Sequence, residues 1–309
     1  MVWPVNKIRL FEHGAPGSQN LKLTRKYYTE DMTDGRVKHI VQNITDPDIV
    51  PYIPDGIGNS TDRQRIPAVL IIPGGAFRRL VYNFEGEDVA KWLNSMGIAA
   101  FVLECRLPSD EHDNAEDVPL IDAMRAMRVI RGRAQEFGID EAKIGVMGFS
   151  AGGFMAALLS TAYESDVYAD YKYKDEYDKL SARPDFAVCS YPVISIDDCI
   201  EAGKRYMSEE QVLERISDSK AKILHKYNPD KLVRPDMPPV FICETDDDRT
   251  TLSENSVGFY MAARKAGVSA ELHIFRTGGH GYGCGDDFAQ TGEWKVLFTK
   301  WIKSIGIIS

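Results

Sequence analysis

The chain has 309 residues, 44% of them hydrophobic, which suffices for one large α/β domain with a sizeable core, and no break in composition marks a second domain. Its net charge of −9 and pI near 5.3 argue against nucleic acids and anionic membranes as partners, because both repel an acidic protein. No apolar run approaches the roughly 18 residues of a membrane span, and residues 1–7 lack the basic start and apolar core of a signal peptide. The sequence therefore predicts one cytoplasmic domain, 1–309, and leaves a homo-oligomer open.

The first part of the chain predicts antiparallel edge strands. Short strand-like pieces at 7–11 and 36–42 are separated by Gly, Pro and Asp turns. The continuous apolar run at 68–72 is typical of a strand buried on both faces of a parallel sheet. It ends in Pro-Gly-Gly-Ala-Phe at 73–77, and the two glycines permit a tight turn whose backbone N–H groups can face a ligand.

From there strands and helices alternate. Apolar runs predict strands at 98–103, 144–149, 186–191, 240–243 and 270–275, and helical spacing predicts helices at 85–96, 120–137, 254–266 and 293–305. Repeated strand–helix units predict an α/β fold with a mostly parallel, doubly wound sheet. A polar helical segment at 209–224 interrupts the rhythm, and we expect a small helical cap insertion at about 196–237.

The stretch 144–159 reads as a strand, a turn and an Ala-rich helix, and its turn Gly148-Phe149-Ser150-Ala151-Gly152 fits the nucleophile elbow G-x-S-x-G. A serine on so sharp a turn needs small residues two positions before and after it, which Gly148 and Gly152 provide. The alternative, a Gly-rich turn of a nucleotide-binding unit, requires G-x-G-x-x-G and is disfavoured because Ser150 stands where the second glycine should be.

A serine nucleophile needs a histidine base that is oriented by a carboxylate. His280 lies in a Gly-rich loop, 277–283, after the last predicted strand, where it can reach over the elbow. Three aspartates, 246–248, directly follow the strand at 240–243, and the residues alone leave the choice among them open. We favour Asp248 and keep Asp247 as the alternate.

Several stretches resemble the acetyl-xylan-esterase-like, carbohydrate-esterase branch of the α/β-hydrolase (esterase/lipase) superfamily. They are 73–77, 85–90, 92–95, the elbow, 180–186, 238–241 and 279–283, and they span nearly the whole chain. The resemblance implies an α/β-hydrolase fold and, by aligning 254–256, places the acid at Asp248. It also implies that the amides of Gly75, Ala76 and Ala151 form an oxyanion hole.

The sequence departs from the pattern of these relatives in two places. Pro73 replaces the histidine that precedes the oxyanion glycines in lipases, and Arg249-Thr250-Thr251 replaces the apolar residues usual after the acid. The polarity of the substrate pocket is therefore open. The residues just past the oxyanion turn are further candidates for substrate contacts: Arg78, Arg79 and Tyr82.

The hypothesis from the sequence is a serine esterase that removes short acyl groups, above all acetyl, from carbohydrate such as xylo-oligosaccharides. This chemistry requires no metal or organic cofactor, and five scattered cysteines without a C-x-x-C pair indicate neither a disulfide framework nor a zinc site. The alternatives are another carboxylesterase or lipase, a peptidase of the same fold, and a non-catalytic binding protein on a hydrolase scaffold. The peptidase is disfavoured because the chain has no room for the large extra domain usual in that class.

Overall fold

The computed structural model describes residues 6–33, 35–56, 65–212, 221–285 and 290–309. The strands in these ranges are β1 (Ile8–Arg9), β2 (Lys26–Asp31), β3 (Val37–Gln42), β4 (Asp48–Tyr52), β5 (Ile66–Ile72), β6 (Leu80–Val81), β7 (Ala99–Glu104), β8 (Ile139–Phe149), β9 (Ala187–Ser190), β10 (Val240–Thr245) and β11 (Ala270–Phe275). The helices are α1 (Asp88–Ser95), α2 (Val118–Gly132), α3 (Ala134–Phe137), α4 (Ala151–Ala162), α5 (Ile196–Tyr206), α6 (Ala221–Lys226), α7 (Ser253–Lys265) and α8 (Trp294–Ser304).

Eight strands form the main sheet in the order β1-β4-β7-β5-β8-β9-β10-β11. The pairs from β7 through β11 are parallel, whereas β4 runs antiparallel to β7 and β1 antiparallel to β4. A second, antiparallel sheet has the order β2-β3-β6. The predicted mostly parallel sheet with antiparallel N-terminal strands is confirmed.

Helices cover the sheet in two groups. Helix α1 meets α8 through Trp92 and Trp294, whose ring centroids lie 4.9 Å apart, while α2 packs against α4. Every residue of β7 and of β10 is buried. Because side chains alternate between the faces of a strand, this burial requires cover on both faces, as the continuous apolar runs predict. None of the helices in the described ranges has the length and apolar character needed to cross a bilayer.

Several elements differ from the prediction. The segment 85–96 is a π-helical turn, Asn83–Glu87, followed by α1. The segment 120–137 is divided into α2 and α3 because Arg133 leaves helical geometry, with φ −102° and ψ 17°. Strands β2, β4 and β6 and helix α5 were not predicted. Of the polar segment predicted at 209–224, residues 213–220 lie outside the described residues.

The insertion between β9 and β10 is tied to the main domain by side chains. The Lys226 ammonium and the Tyr227 hydroxyl both donate to the carboxylate of Asp117, which immediately precedes α2. At the start of the insertion, the backbone amides of Ile194 and Ser195 donate to the side-chain oxygen of Asn255. That this insertion caps a substrate site stays a prediction.

Candidate active site

Ser150 lies on the sharp turn between β8 and α4, with φ +54° and ψ −119°, a conformation that is strained for a non-glycine residue. A Cβ atom at Gly148 would lie 2.0 Å from the carbonyl oxygen of Gly152, and one at Gly152 would lie 1.9 Å from that of Ile72. Both positions therefore require glycine, which is the physical reason for the G-x-S-x-G spacing. The turn places Ser150 at the carboxyl ends of the parallel strands.

His280 joins Ser150 to Asp248 in one hydrogen-bonded chain. Its Nε2 lies 2.9 Å from Ser150 Oγ, and its Nδ1 lies 2.6 Å from Asp248 Oδ2. Asp248 follows β10 and His280 follows β11, so neighbouring parallel strands deliver both side chains to the same edge of the sheet. The structure thus brings together the three residues that the sequence singled out.

Asp248 is held as a buried carboxylate. Its Oδ1 accepts hydrogen bonds from the amides of Thr250 at 2.7 Å and Thr251 at 3.0 Å, and its Oδ2 accepts one from the Thr251 hydroxyl at 2.9 Å. Burial alone would raise the pKa of Asp248, but the hydrogen bond and charge of His280, with the two amides, outweigh burial and lower that pKa. The charged form needed to orient a histidine base is therefore the stable one.

The turn after β5 lies directly against the serine. A Cβ atom at Gly74 would be 2.9 Å from Ser150 Cβ, so the turn can approach this closely only as glycine. Gly75 and Ala76 both have positive φ, +139° and +57°. The amides of Gly75, Ala76 and Ala151 donate to no acceptor within the described part of the chain, whereas the Gly74 amide donates to Glu85. Three free N–H groups thus remain beside the serine, although their role as an oxyanion hole stays a prediction.

The three residues predicted to contact substrate differ in their exposure and in their partners. Tyr82 is 1% exposed and its hydroxyl lies 3.1 Å from that of Tyr52, so its side chain is directed into the fold, and its contact with substrate stays a prediction. Arg79 pairs with Glu30 at 2.6 Å and is partly exposed. Arg78 is exposed on the same turn. Both arginines stay candidates.

A small apolar cavity of about 20 Å³ lies beside the turn. The turn after β5, the loop after β7 and the first two turns of α4 contribute its walls, among them Gly75, Phe77, Leu107, Ala151 and Met155. The cavity has room for about one water-sized group.

Three residues at the site were missed by sequence reasoning. The Thr251 hydroxyl lies 2.9 Å from Asp248 Oδ2 and 3.2 Å from His280 Nδ1. Glu85 and Tyr191 form a buried pair with their oxygens 2.9 Å apart. The one sequence signal for Glu85 is its place in the stretch 85–90, which is among those that resemble the esterase family.

Among the residues described, no group of three or more His, Cys, Asp or Glu side chains could hold a metal ion.

The fold and the geometry of this site define an α/β-hydrolase. The sequence model of the BD-FAE family matches residues 57–262, about two thirds of the chain, and the chain belongs to that family.

Known relatives agree with this assignment. An acetylxylan esterase from Xylanibacter ruminicola is 31% identical over 240 residues, which is 77% of this chain and 45% of that protein. Endo-1,4-beta-xylanase B from Butyrivibrio fibrisolvens is 31% identical over 227 residues, 73% of this chain and 34% of that protein. The chain thus matches less than half the length of these two relatives. The crystal structure of an acetyl ester-xyloside bifunctional hydrolase from Caldicellulosiruptor lactoaceticus superposes with a TM-score of 0.68 at 37% identity, covering 85% of this chain and 90% of that one.

Proposed function

We propose that the protein is a serine esterase that hydrolyses acetyl and other short-chain esters of carbohydrate through an acyl-enzyme. The observation that carries the proposal is the continuous hydrogen-bonded chain from Ser150 Oγ through both ring nitrogens of His280 to Asp248. Such a chain can activate a hydroxyl that is otherwise a poor nucleophile.

In the first step, Ser150 Oγ attacks the ester carbonyl while His280 Nε2 accepts its proton. The amides of Gly75, Ala76 and Ala151 donate to the developing oxyanion, and His280 then gives the proton to the leaving alcohol. In the second step, His280 takes a proton from water, the hydroxide attacks the acyl-serine, and the acid is released as Ser150 regains its proton. Asp248 orients His280 and stabilises its cation throughout. No step calls for a metal or organic cofactor.

The preference for acetyl groups is supported by two observations. The cavity beside Ala151 and Gly75 is apolar and about 20 Å³ in volume, which suits a methyl group better than a long acyl chain. A relative in sequence is an acetylxylan esterase and a relative in structure is an acetyl ester-xyloside hydrolase. Acetylated xylo-oligosaccharides are the substrate class that fits both. The net charge of −9 does not oppose such neutral substrates.

The proposal is tested by acetate release from acetylated xylo-oligosaccharides, measured beside hydrolysis of p-nitrophenyl esters from acetyl to octanoyl. Ser150→Ala is the blank. Ser160→Ala is the matched control, because Ser160 is a buried serine in α4, the helix that begins directly after Ser150, and its hydroxyl donates to the Ala156 carbonyl. We expect release from the sugar, a sharp fall beyond butyryl, near-complete loss in Ser150→Ala and retained turnover in Ser160→Ala.

Two other outcomes are informative. If only the activated p-nitrophenyl esters react, the serine esterase stands and its natural substrate lies outside acetylated xylan. If no ester turnover depends on Ser150, the proposed function is wrong.

A further inference from the structure

A buried carboxyl group, that of Glu85, lies between the oxyanion turn and the interior of the site. Glu85 is 5% exposed. Its Oε2 accepts the hydrogen bond of the Gly74 amide at 2.8 Å, and its Oε1 lies 2.9 Å from the Tyr191 hydroxyl. Because Gly74 packs against Ser150, this hydrogen bond holds the turn that bears the free amides.

Tyr191 continues the link to the histidine loop. Its hydroxyl oxygen accepts the amide hydrogen of Gly283 at 3.0 Å, three residues after His280. Its ring packs edge-to-face on the His280 ring, with centroids 5.1 Å apart. Its carbonyl oxygen accepts from the hydroxyl of Thr251 at 3.3 Å. One tyrosine therefore contacts the base, the loop that carries the base, and a partner of Asp248.

The backbone of Tyr191 is unusual. Its φ is +37°, which is strained for a bulky residue, and it is fully buried directly after β9. The strain is maintained by a 2.7 Å hydrogen bond from its amide to the Cys243 carbonyl. Such strain persists where the surroundings over-determine a conformation, and it clusters at functional sites.

We propose that Glu85 is a positioning residue that, acting with Tyr191, fixes the oxyanion donors of the Gly74–Ala76 turn relative to His280. The proposal rests on the proposed esterase function. Oxyanion donors act only when they are aimed at the place where charge develops, and a misplacement of about 1 Å costs on the order of 100-fold in rate. A buried hydrogen-bonded link from the donor turn through Glu85 and Tyr191 to the His280 loop keeps the oxyanion donors and the base in a fixed relative position.

The link depends on two acceptor oxygens of Glu85. Its Oε2 accepts from the Gly74 amide and its Oε1 accepts from the Tyr191 hydroxyl. Burial raises the pKa of Glu85, although the nearby His280, Tyr191 and Gly74 amide oppose the rise. Glutamine keeps one acceptor oxygen and replaces the other with an NH₂ group, whereas alanine removes both acceptors.

The test compares Glu85→Ala, Glu85→Gln, Tyr191→Phe and the double variant Glu85→Ala/Tyr191→Phe in hydrolysis of p-nitrophenyl acetate. Thermal unfolding is followed for each variant. Tyr163→Phe is the matched control. Tyr163 is a buried tyrosine directly after the C-terminal end of α4, whereas Ser150 directly precedes the N-terminal end. The Tyr163 hydroxyl donates to Asp236 at 2.7 Å.

We expect Glu85→Ala and Tyr191→Phe each to lower kcat about 10- to 100-fold with KM within about threefold, because donors that act in the transition state affect kcat. Glu85→Gln should lose less activity than Glu85→Ala, because it keeps one of the two acceptor oxygens. The double variant should be little worse than the worse single variant, since both break one link. Tyr163→Phe should lower Tm without changing kcat.

The inference is overturned if Tyr191→Phe keeps normal kcat, or if the two losses multiply in the double variant. It is also overturned if kcat falls only in proportion to the folded fraction. Should Glu85→Ala fail to fold, Tyr191→Phe decides by itself, because it keeps the ring in place. Failure of the esterase proposal is recognised separately, as an absence of Ser150-dependent turnover in the unsubstituted protein.

Discussion

Asp247 and Asp248 are adjacent in the chain and hold different parts of the same loop. Asp248 Oδ2 lies 2.6 Å from Nδ1 of His280, so it orients the imidazole itself. Asp247 Oδ1 accepts the amides of Gly278 at 2.9 Å and Gly279 at 2.8 Å, so it fastens the backbone that leads to the histidine. Asp248 is 2% exposed, whereas Asp247 is exposed.

Asp248→Asn should reduce kcat by about three to four orders of magnitude, because the amide group favours the wrong tautomer of His280 and cannot stabilise its cation. Asp247→Asn is the matched control and should cost less than about tenfold, since an amide oxygen still accepts from the two glycine amides. The measurement is kcat on p-nitrophenyl acetate. Equal losses in the two variants would contradict the division of roles.

The elbow glycines permit a prediction about folding. Gly152→Ala should give insoluble or unfolded protein, because its Cβ would lie 1.9 Å from the Ile72 carbonyl oxygen. Gly258→Ala is the opposite case, since Gly258 lies in α7 with no atom near its would-be Cβ, and it should stabilise by about 0.5–1 kcal/mol. Soluble yield and urea unfolding measure both. A soluble, stable Gly152→Ala protein would show that the turn can open.

Much of this architecture could be predicted because its signals are local. The apolar run at 68–72 requires cover on both faces wherever it lies. The G-x-S-x-G spacing reflects two close backbone approaches, one between Gly148 and Gly152 inside the motif and one between Gly152 and Ile72 on the neighbouring strand. By contrast, β2 has a mixed, half-exposed sequence whose strand state depends on its pairing with β3. Such pairing leaves little periodic signal in the strand itself.

The site could be predicted only in part, for a related reason. Residue type and chain order indicated Ser150, His280 and an acid among the aspartates at 246–248, and the family resemblance favoured Asp248. Glu85 and Tyr191 are 106 positions apart, and neither burial nor pairing of such residues is visible in a sequence. Nearness to the turn after β5 in sequence does not give the direction of a side chain either, and that of Tyr82 points to Tyr52 in β4.

A second buried acid lies next to Asp248. Glu244 is fully buried at the end of β10, where its Oε1 accepts the amide of Thr245 at 2.9 Å and its Oε2 the hydroxyl of Ser256 at 3.3 Å. Burial, and then the negative charge of Asp248, raise the pKa of Glu244 well above its ordinary value. Glu244 is thus protonated more readily in the folded protein than in the unfolded chain.

Glu244→Gln should become more stable relative to the unsubstituted protein as pH rises above about 4.3, the pKa of an unfolded glutamate. Above that pH the folded state binds more protons at this position than the unfolded state, so the free energy of unfolding falls as pH rises towards the folded pKa. In that window the free energy of unfolding of the unsubstituted protein falls by about 1.4 kcal/mol per pH unit because of Glu244. Glutamine does not titrate, so the variant lacks this loss. Urea unfolding at pH 4.5, 6 and 7.5 measures the difference, and a constant difference would show that Glu244 is charged when folded.

The pair Arg106–Asp122 anchors the N-terminal segment at the same edge of the sheet as the site. Both side chains are fully buried, and Arg106 Nη2 lies 2.7 Å from Asp122 Oδ1. Arg106 Nη1 also donates to the Ser18 hydroxyl at 2.8 Å and to the carbonyl of Pro16. A chain segment about 90 residues earlier in sequence is thereby fixed to the loop after β7.

Asp122→Asn should therefore destabilise the protein by about 3–5 kcal/mol, because it leaves the guanidinium buried without its counter-charge. Glu176→Gln is the matched control, since it breaks the Lys179–Glu176 pair, whose side chains are 72% and 85% exposed. An exposed pair contributes at most about 1 kcal/mol, because water and salt screen it. Urea unfolding compares the two variants, and similar small losses would mean that solvent or a rearranged partner reaches Arg106. The contrast thus measures how strongly the burial of this pair couples the N-terminal segment to the edge of the sheet that carries the site.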